Sequence, residues 1–285
     1  MKRAKSTRPS TGRTLIEGTR LLLSTRVWTS ERIATAYFAY LAIVCWLRPL
    51  TWRRRGLVLA IAASAIAAIG ANARADVPLL RQWAPAATIL IGYYASALLF
   101  VAPSTRIEAW LAAWDRRLLG EPSTRFAKWP RPLLAVLEIA YMGCFILIGA
   151  GFLILVLAGH AAAADRYWSL VVAAEFGSFA PLAFIQTRPP WALERKPVLA
   201  DRVIHDLAER MVTTFTIRVN TFPSGHVAGS LAVAIAVGEI LPLAGAVLLA
   251  AAILIALATI VGRYHYCLDA LAGAALVAAI VALLR

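Results

Sequence analysis

Residues 244–262 read AGAVLLAAAILIALATIVG and contain no charged side chain. A helix of about 20 mostly apolar residues crosses a bilayer core, so this run predicts a membrane-spanning helix. The stretches on either side, 222–241 and 266–284, give the same prediction. With 61% hydrophobic and 15% charged residues over 285 positions, the chain has more apolar surface than one soluble core of this size would hold.

Apolar runs also precede these three, separated by short basic or proline-containing connections. They lie at 33–50, 57–73, 84–103, 133–159 and 167–187. The pattern predicts an all-α protein, a polytopic transmembrane helical bundle of about eight spans. Between the third and fourth runs, residues 104–132 mix tryptophan with arginine and lysine, a composition typical of a membrane interface.

The chain is strongly basic, with 29 Lys and Arg against 15 Asp and Glu and a net charge of +14. These residues gather before the first run and in the polar loops, where they can contact anionic lipid headgroups. No nucleic-acid-binding motif accompanies them. We therefore expect the lipid bilayer as a partner and no nucleic acid.

The first motif with potential chemistry immediately precedes a span and reads Asn220-Thr221-Phe222-Pro223-Ser224-Gly225-His226. Proline and glycine turn the chain into a helix whose first free amides, with the Ser224 hydroxyl, point towards a bound anion. Ser224 and Gly225 are therefore predicted to bind phosphate. His226 can donate a proton to a departing alkoxide. The alternative for His226 is an interfacial histidine without a catalytic role.

A second motif, Gly262-Arg263-Tyr264-His265-Tyr266-Cys267-Leu268-Asp269, leads into the run at 266–284. His265 and Asp269 are four residues apart at a helix start, so the carboxylate can accept a proton from one ring nitrogen. The other nitrogen can then attack phosphorus while Asp269 stabilises the cationic imidazole. The alternative is a helix-capping pair, but an ionisable pair at a membrane boundary is costly without a function.

A third motif closes the run at 167–187 and reads Gln186-Thr187-Arg188-Pro189-Pro190-Trp191. Arg188 can bind two phosphoryl oxygens at once through its guanidinium group, or it can be an arginine that snorkels from the end of a span. Two carboxylates, Glu138 and Glu175, lie inside predicted spans. Each can pair with a site arginine or be a neutral packing residue.

Along the chain, Arg188-Pro189 comes first, Pro-Ser-Gly-His second and His265 with Asp269 last. In this order, each at the mouth of a span, the three motifs resemble the type 2 phosphatidic acid phosphatase superfamily, the integral-membrane lipid phosphate phosphatases. The resemblance covers roughly residues 133–284 and implies a core like that of six-span members in the C-terminal part. It implies that His265 is the nucleophile, that Asp269 orients it and that His226 is the leaving-group acid. It also implies phosphate binding by Arg188, Ser224 and Gly225, with no metal and no cofactor.

Two positions depart from the family pattern. In the family, a lysine usually lies seven residues before the arginine that corresponds to Arg188, and this chain has Pro181 there. An arginine usually lies six residues before the nucleophile, and this chain has Thr259 there. Arg263 is four residues from Thr259, close to one helical turn, so it is predicted to bind phosphate from a shifted place. The candidates to replace the lysine are loop cations, namely Arg195, Lys196, Arg202, Arg210 and Arg218.

These departures resemble the branch that includes inositol-phosphate transferases acting on sphingolipids, in which an alcohol replaces water as acceptor. The sequence thus predicts a membrane lipid phosphate or diphosphate phosphatase with a phosphohistidine intermediate. One alternative is a phosphotransferase that moves a phosphoryl-bearing headgroup to a lipid alcohol. Another is a non-catalytic lipid-binding or transport protein.

The predicted organisation has three parts. Residues 1–32 form a basic tail or interfacial helix, 33–132 the N-terminal spans and the interfacial segment, and 133–285 the catalytic region. We expect a multi-pass protein of a bacterial-type inner or plasma membrane. The loop charges mildly favour a cytoplasmic face for the motifs, whereas the family resemblance favours an extracytoplasmic one.

Overall fold

The structure is a computed structural model that describes residues 27–194 and 216–285, together with residues 207, 210, 211 and 214. The described part holds ten α-helices and one isolated β-bridge. The helices are α1 (Thr29–Val44), α2 (Trp52–Ala75), α3 (Pro78–Ala97), α4 (Thr105–Leu119), α5 (Pro122–Phe126), α6 (Arg131–Leu157), α7 (Ala164–Phe179), α8 (Gly225–Gly238), α9 (Pro242–Val261) and α10 (Cys267–Leu283).

The all-α prediction is confirmed, and each of the eight apolar runs coincides with one helix apart from its ends. The first run is shifted because α1 begins at Thr29, where Glu31 accepts a hydrogen bond from the Trp28 amide at 2.7 Å and caps the helix. The fifth run is shortened because α7 ends at Phe179 and continues as a 3₁₀ turn through Pro181. Of the predicted tail 1–32, only residues 27–32 lie within the described part.

Three of the described helices, α2, α6 and α9, are long and apolar enough to cross a membrane by length and composition. The helices α8 and α10 are apolar but shorter. The long helices carry exposed leucine and isoleucine side chains, such as Ile139 of α6, 54% exposed, and Leu243 of α9, 81% exposed. These side chains are suited to contact with lipid, because exposing large apolar groups to water is unfavourable.

Successive long helices run in opposite directions, so that alternate connections meet at the same end of the bundle. At one of these ends, residues that are far apart in the sequence are joined by hydrogen bonds and an ion pair. There, Asp165 accepts hydrogen bonds from the amides of Thr29 and Ser30 at 3.0 Å, and Arg166 pairs with Glu239 at 2.6 Å. The three motifs lie at the opposite end, where α7 and α9 finish and α8 and α10 begin.

The short helices α4 and α5 pack at the motif end of the bundle, α4 against α10 and α5 against α9. The Ser104 side chain caps α4 by accepting from the Ile107 amide at 3.4 Å. The Ser104 amide donates to the Gln186 carbonyl at 2.7 Å, which ties the start of α4 to the loop that carries Arg188. The interfacial segment is therefore part of the wall around the candidate site.

Candidate active site

The three motifs are joined to one another in pairs by backbone hydrogen bonds. These run from the Asn220 amide to the Thr187 carbonyl at 2.9 Å, from the Trp191 amide to the Arg263 carbonyl at 3.0 Å, and from the Ser224 amide to the Asp269 carbonyl at 2.9 Å. Motifs that lie far apart in the sequence thus form one rigid frame.

His265 and Asp269 meet at the start of α10. The Nδ1 atom of His265 lies 3.3 Å from Oδ2 of Asp269, and the same oxygen accepts from the Tyr266 amide at 2.9 Å. Asp269 has no exposed surface, and its other oxygen has no hydrogen-bond partner among the described residues. This arrangement leaves Nε2 of His265 as the ring nitrogen not engaged by the carboxylate.

His226 lies in the first turn of α8, within reach of the same site. The centroids of the His226 and His265 rings are 5.4 Å apart, at an angle of 62°. On its other side the His226 ring stacks on Tyr141 with the centroids 5.3 Å apart, and Tyr141 stacks in turn on Tyr264 at 3.8 Å. These aromatic contacts fix the orientation of the His226 ring.

Both histidines line a cavity of about 460 Å³ that extends between α3, α6, α7 and α8. Most of its surface is apolar, and the walls include the aliphatic and aromatic side chains Ile89, Leu90, Phe145, Ile148 and Phe179. A cavity of this size and lining is suited to the hydrocarbon part of a ligand. Its only arginine or lysine among the described residues is Arg218.

Ser224 and Gly225, at the start of α8, have structural contacts of their own. Ser224 is fully buried, and its Oγ atom accepts from the Val227 amide at 3.4 Å. The Gly225 amide donates to Thr221 Oγ1, also at 3.4 Å. Both hydrogen bonds are long, and the Ser224 hydroxyl keeps its own proton to donate. Phosphate binding by Ser224 and Gly225 stays a prediction.

Arg188 forms a bidentate ion pair with Glu108 of α4. Its Nε and Nη2 atoms donate to the two carboxylate oxygens at 3.0 and 2.9 Å, and its backbone amide adds a third bond at 2.8 Å. The Arg188 side chain is 40% exposed, whereas Glu108 is buried. The hydrogen bonds from Arg188 lower the pKa of Glu108 below the usual range of a glutamate, so the pair stays charged at neutral pH and is lost only as the pH falls through that lowered pKa.

Arg263 lies in a buried cluster with Asp115 and Glu194, and it is 1% exposed. Its Nη1 atom donates to Asp115 at 2.7 Å, and its Nε and Nη2 atoms donate to Glu194 at 2.9 and 2.7 Å. Asp115 also accepts from the Cys267 amide at 2.8 Å, which holds the start of α10. Phosphate binding by Arg263 stays a prediction. It requires Asp115 or Glu194 to release the guanidinium group of Arg263.

Arg263 does not extend the face of α9 that carries Thr259, so the spacing of one helical turn between them does not apply. The helix ends at Val261, and Arg263 has a φ of +60°, a left-handed conformation that turns its side chain away from the helix. Thr259, at the family's arginine position, is buried, and its carbonyl accepts from the amides of Tyr264 and His265 at 2.9 and 3.0 Å.

The two carboxylates around Arg263 differ in acidity. Burial raises the pKa of Asp115, and Arg263 offsets this only in part. Burial also acts to raise the pKa of Glu194, but the hydrogen bonds from Arg263 and Ser123 outweigh it and the pKa is lowered. Burial acts against the charged form of Arg263, yet its two carboxylate partners raise its pKa.

Comparison with known families tests the resemblance drawn from the motifs. A family model for the PAP2 superfamily matches residues 109–283, which is more than half of the chain. The chain belongs to the PAP2 superfamily. The match begins within α4, earlier than the motifs alone indicated, and therefore includes Asp115 as well as all three motifs.

A curated relative agrees with the PAP2 assignment over a short stretch. A PA-phosphatase related-family protein of Dictyostelium discoideum is 54% identical to this chain over 52 residues. That alignment covers 18% of this chain and 9% of the relative. No solved structure matches the chain. Membership of the PAP2 superfamily supports a phosphatase-type enzyme, and the apolar helices support a membrane protein.

Three carboxylates that pair with arginines of the candidate site were missed by reasoning from the sequence, namely Glu108, Asp115 and Glu194. A signal was present for two of them, because Glu108 and Asp115 are seven residues apart and so share one face of α4. Of the loop cations proposed to replace the PAP2 lysine, Arg218 lines the cavity. Arg195, Lys196 and Arg202 lie outside the described residues, and Arg210 is not among the residues that line the cavity.

The pairing of Arg188 with Glu108 gives a first prediction. Replacing Glu108 by glutamine removes the negative charge that competes with a phosphoryl group for the guanidinium of Arg188. We expect vanadate, a phosphoryl mimic, to inhibit the variant at a roughly tenfold lower concentration, equivalent to about 1.4 kcal/mol. The measurement is inhibition of phosphate release in detergent at neutral pH.

The control is Glu239→Gln, which neutralises the carboxylate partner of Arg166 at the other end of the bundle and is expected to leave vanadate inhibition unchanged. Weaker inhibition of the Glu108→Gln variant would show instead that Glu108 holds Arg188 in place for the phosphoryl group.

Proposed function

We propose that the chain hydrolyses a membrane lipid phosphate or diphosphate through a covalent phosphohistidine on His265. The observation that carries the proposal is the pair of histidine rings, 5.4 Å apart, in the wall of a mostly apolar cavity. The cavity is suited to the lipid chains, while the phosphate meets the histidines at the end of the bundle. The Asp269 contact orients His265 for attack.

In the first step, Nε2 of His265 forms a bond to phosphorus while the bond from phosphorus to the ester oxygen breaks. His226 gives its proton to that oxygen, and the lipid alcohol leaves. In the second step, water attacks phosphorus, His226 takes a proton from this water, and the bond to His265 breaks. Free phosphate and the original His265 result, and Asp269 stabilises the cationic ring in between.

Positive charge for the phosphoryl oxygens comes from arginine in this scheme. Arg188 lies on an exposed edge of the site and presents a planar guanidinium that matches phosphate. Arg218 lines the cavity beside the histidines, and we assign it the role of the lysine that Pro181 replaces. Each role is filled by a side chain, so we expect phosphate release to continue in the presence of EDTA.

The assignment of His226 as the acid is tested through the leaving group. His226→Ala is expected to slow phosphate release from an alkyl lipid phosphate by about 10²–10⁴-fold. With a nitrophenyl phosphate ester, the rate of the variant should be much closer to that of the unmodified protein, because nitrophenolate leaves without a proton. Rates for both substrates are measured on the same purified variant.

Equal losses with both substrates would contradict the acid role of His226. The same assay, with a labelled lipid phosphate and an added lipid alcohol, separates hydrolysis from phosphotransfer. Label that appears in the alcohol and never as free phosphate would favour the transferase and overturn the hydrolase. Absence of turnover with every lipid phosphate would favour the non-catalytic, lipid-binding alternative.

A further inference from the structure

Glu175 is a buried carboxyl group without a protein partner in the described structure. It lies in α7, is 6% exposed and lines the cavity that holds both histidines. Its side chain forms no hydrogen bond or ion pair with any described residue. Glu175 has no role in the two steps proposed for His265 and His226.

Two glycines of α8 make room for this carboxyl group. A Cβ atom at Gly229 would lie 1.8 Å from Oε1 of Glu175, and one at Gly225 would lie 3.4 Å from Oε2. Gly225 and Gly229 are four residues apart, so they share one face of α8. His226 follows Gly225 directly in the chain. The carboxyl oxygens of Glu175 therefore lie beside the turn of α8 that carries His226, and both residues line the same cavity.

An unpartnered carboxyl group in such a place is costly. Burying a polar group without a hydrogen bond is unfavourable, and most of the cavity wall offers apolar contacts only. The carboxyl group has an acceptor oxygen in either protonation state. A ligand that fills the cavity and places a hydrogen-bond donor beside Glu175 would remove the cost of burying this carboxyl group. A ligand made of hydrocarbon alone would leave the cost in place.

The position of Glu175 also sets where the donor must be. The ester oxygen of the substrate has to reach His226, and Glu175 lies beside the turn of α8 that carries His226. Ligand groups that contact side chains around the same turn are only a few covalent bonds apart. The donor therefore belongs to the backbone of the lipid, next to the phosphate ester, and lies well before the hydrocarbon chains begin to fill the cavity.

We infer that Glu175 binds a hydroxyl group on the lipid backbone beside the phosphate ester, and so selects hydroxyl-bearing lipid phosphates. The inference rests on the proposed function, because it places the substrate phosphate at His265. It adds a binding residue for the lipid backbone within the cavity. Glu175 does not take part in bond breaking.

The test compares two lipids that differ by one oxygen atom. One is 1-acyl-glycerol 3-phosphate, with a free hydroxyl at the second carbon, and the other is its 2-deoxy analogue with the same chain. We expect the unmodified protein to hydrolyse the hydroxyl lipid with a kcat/KM roughly 3- to 10-fold higher, the range for an ordinary hydrogen bond. Glu175→Leu should bring the ratio close to one, and Glu175→Gln should retain part of it.

A second variant keeps the carboxyl group and displaces it. Gly229→Ala places a methyl group where Oε1 of Glu175 lies, so it should also reduce the preference. Gly143→Ala is the matched control, because a Cβ there meets nothing within 4 Å, and its ratio should equal that of the unmodified protein. Thermal unfolding in the same detergent checks that each variant is folded.

The possible failures are distinguishable. Equal hydrolysis of the two lipids by the unmodified protein would overturn the role of Glu175 and leave the phosphatase proposal standing. An unchanged preference in Glu175→Leu would do the same. Hydrolysis of neither lipid, nor of any other lipid phosphate, would overturn the proposed function and this inference with it.

Discussion

Replacing His265 by alanine is expected to lower phosphate release by roughly 10⁴-fold or more, the scale seen when a nucleophile of a triad-like site is removed. His265 is the proposed attacking group, and among the described residues no other side chain is hydrogen-bonded to Asp269 that could take its place. The loss should be equally severe for alkyl and nitrophenyl phosphate esters, since both require the bond between nitrogen and phosphorus. Rates are measured with both esters in detergent.

A matched control uses another histidine of the chain. His160 lies on the surface beyond the end of α6, away from the motifs, so His160→Ala should retain normal turnover. Brief mixing with a ³²P-labelled lipid phosphate, followed by alkaline quenching, should leave label on the unmodified protein and none on the His265→Ala variant. Full turnover by His265→Ala would refute the proposed mechanism.

Replacing Arg263 by methionine is expected to lower the free energy of unfolding by about 3–5 kcal/mol, the range for removing one partner of a buried ion pair. Arg263 and Asp115 are each 1% exposed, so the substitution leaves the charge of Asp115 buried without a cationic partner, with the hydrogen bond from the Cys267 amide as its remaining contact. The measurement is unfolding by denaturant in a mild detergent, with helix content as the signal.

Arg166→Met is the control for this stability effect. Arg166 and Glu239 also form a close ion pair, but each is 33% exposed, and pairs open to solvent contribute about 0–1 kcal/mol. Combining Arg263→Met with Asp115→Leu should recover part of the loss, because the orphaned charge is then removed. Equal stability of the Arg263 and Arg166 variants would contradict the buried-pair account.

The helices could be predicted from the sequence because their cause is local. Each apolar run is long enough to form a helix by itself in an apolar environment, so its position survives whatever surrounds it. The ends were less predictable, since they depend on how the chain turns after each apolar run. The end of α7, for example, depends on the 3₁₀ turn through Pro181.

The proposed site divides in the same way. His265 and Asp269 are four residues apart, and a helix start brings them together with no help from the rest of the chain. The partners of Arg188 and Arg263 could not be predicted, because Glu108 and Asp115 come from α4, 80 and 148 residues earlier in the chain. Only the packing of α4 at the motif end brings them within hydrogen-bonding distance.

The three hydrogen bonds that join the motifs use main-chain atoms, which every residue type except proline supplies in full. The frame of the site is therefore insensitive to most changes of side chain within it. Proline at position 181 and threonine at 259 can replace the family's cations without moving the histidines. A scaffold of this kind allows the ligand-binding side chains to diverge during evolution while the reacting groups keep their places.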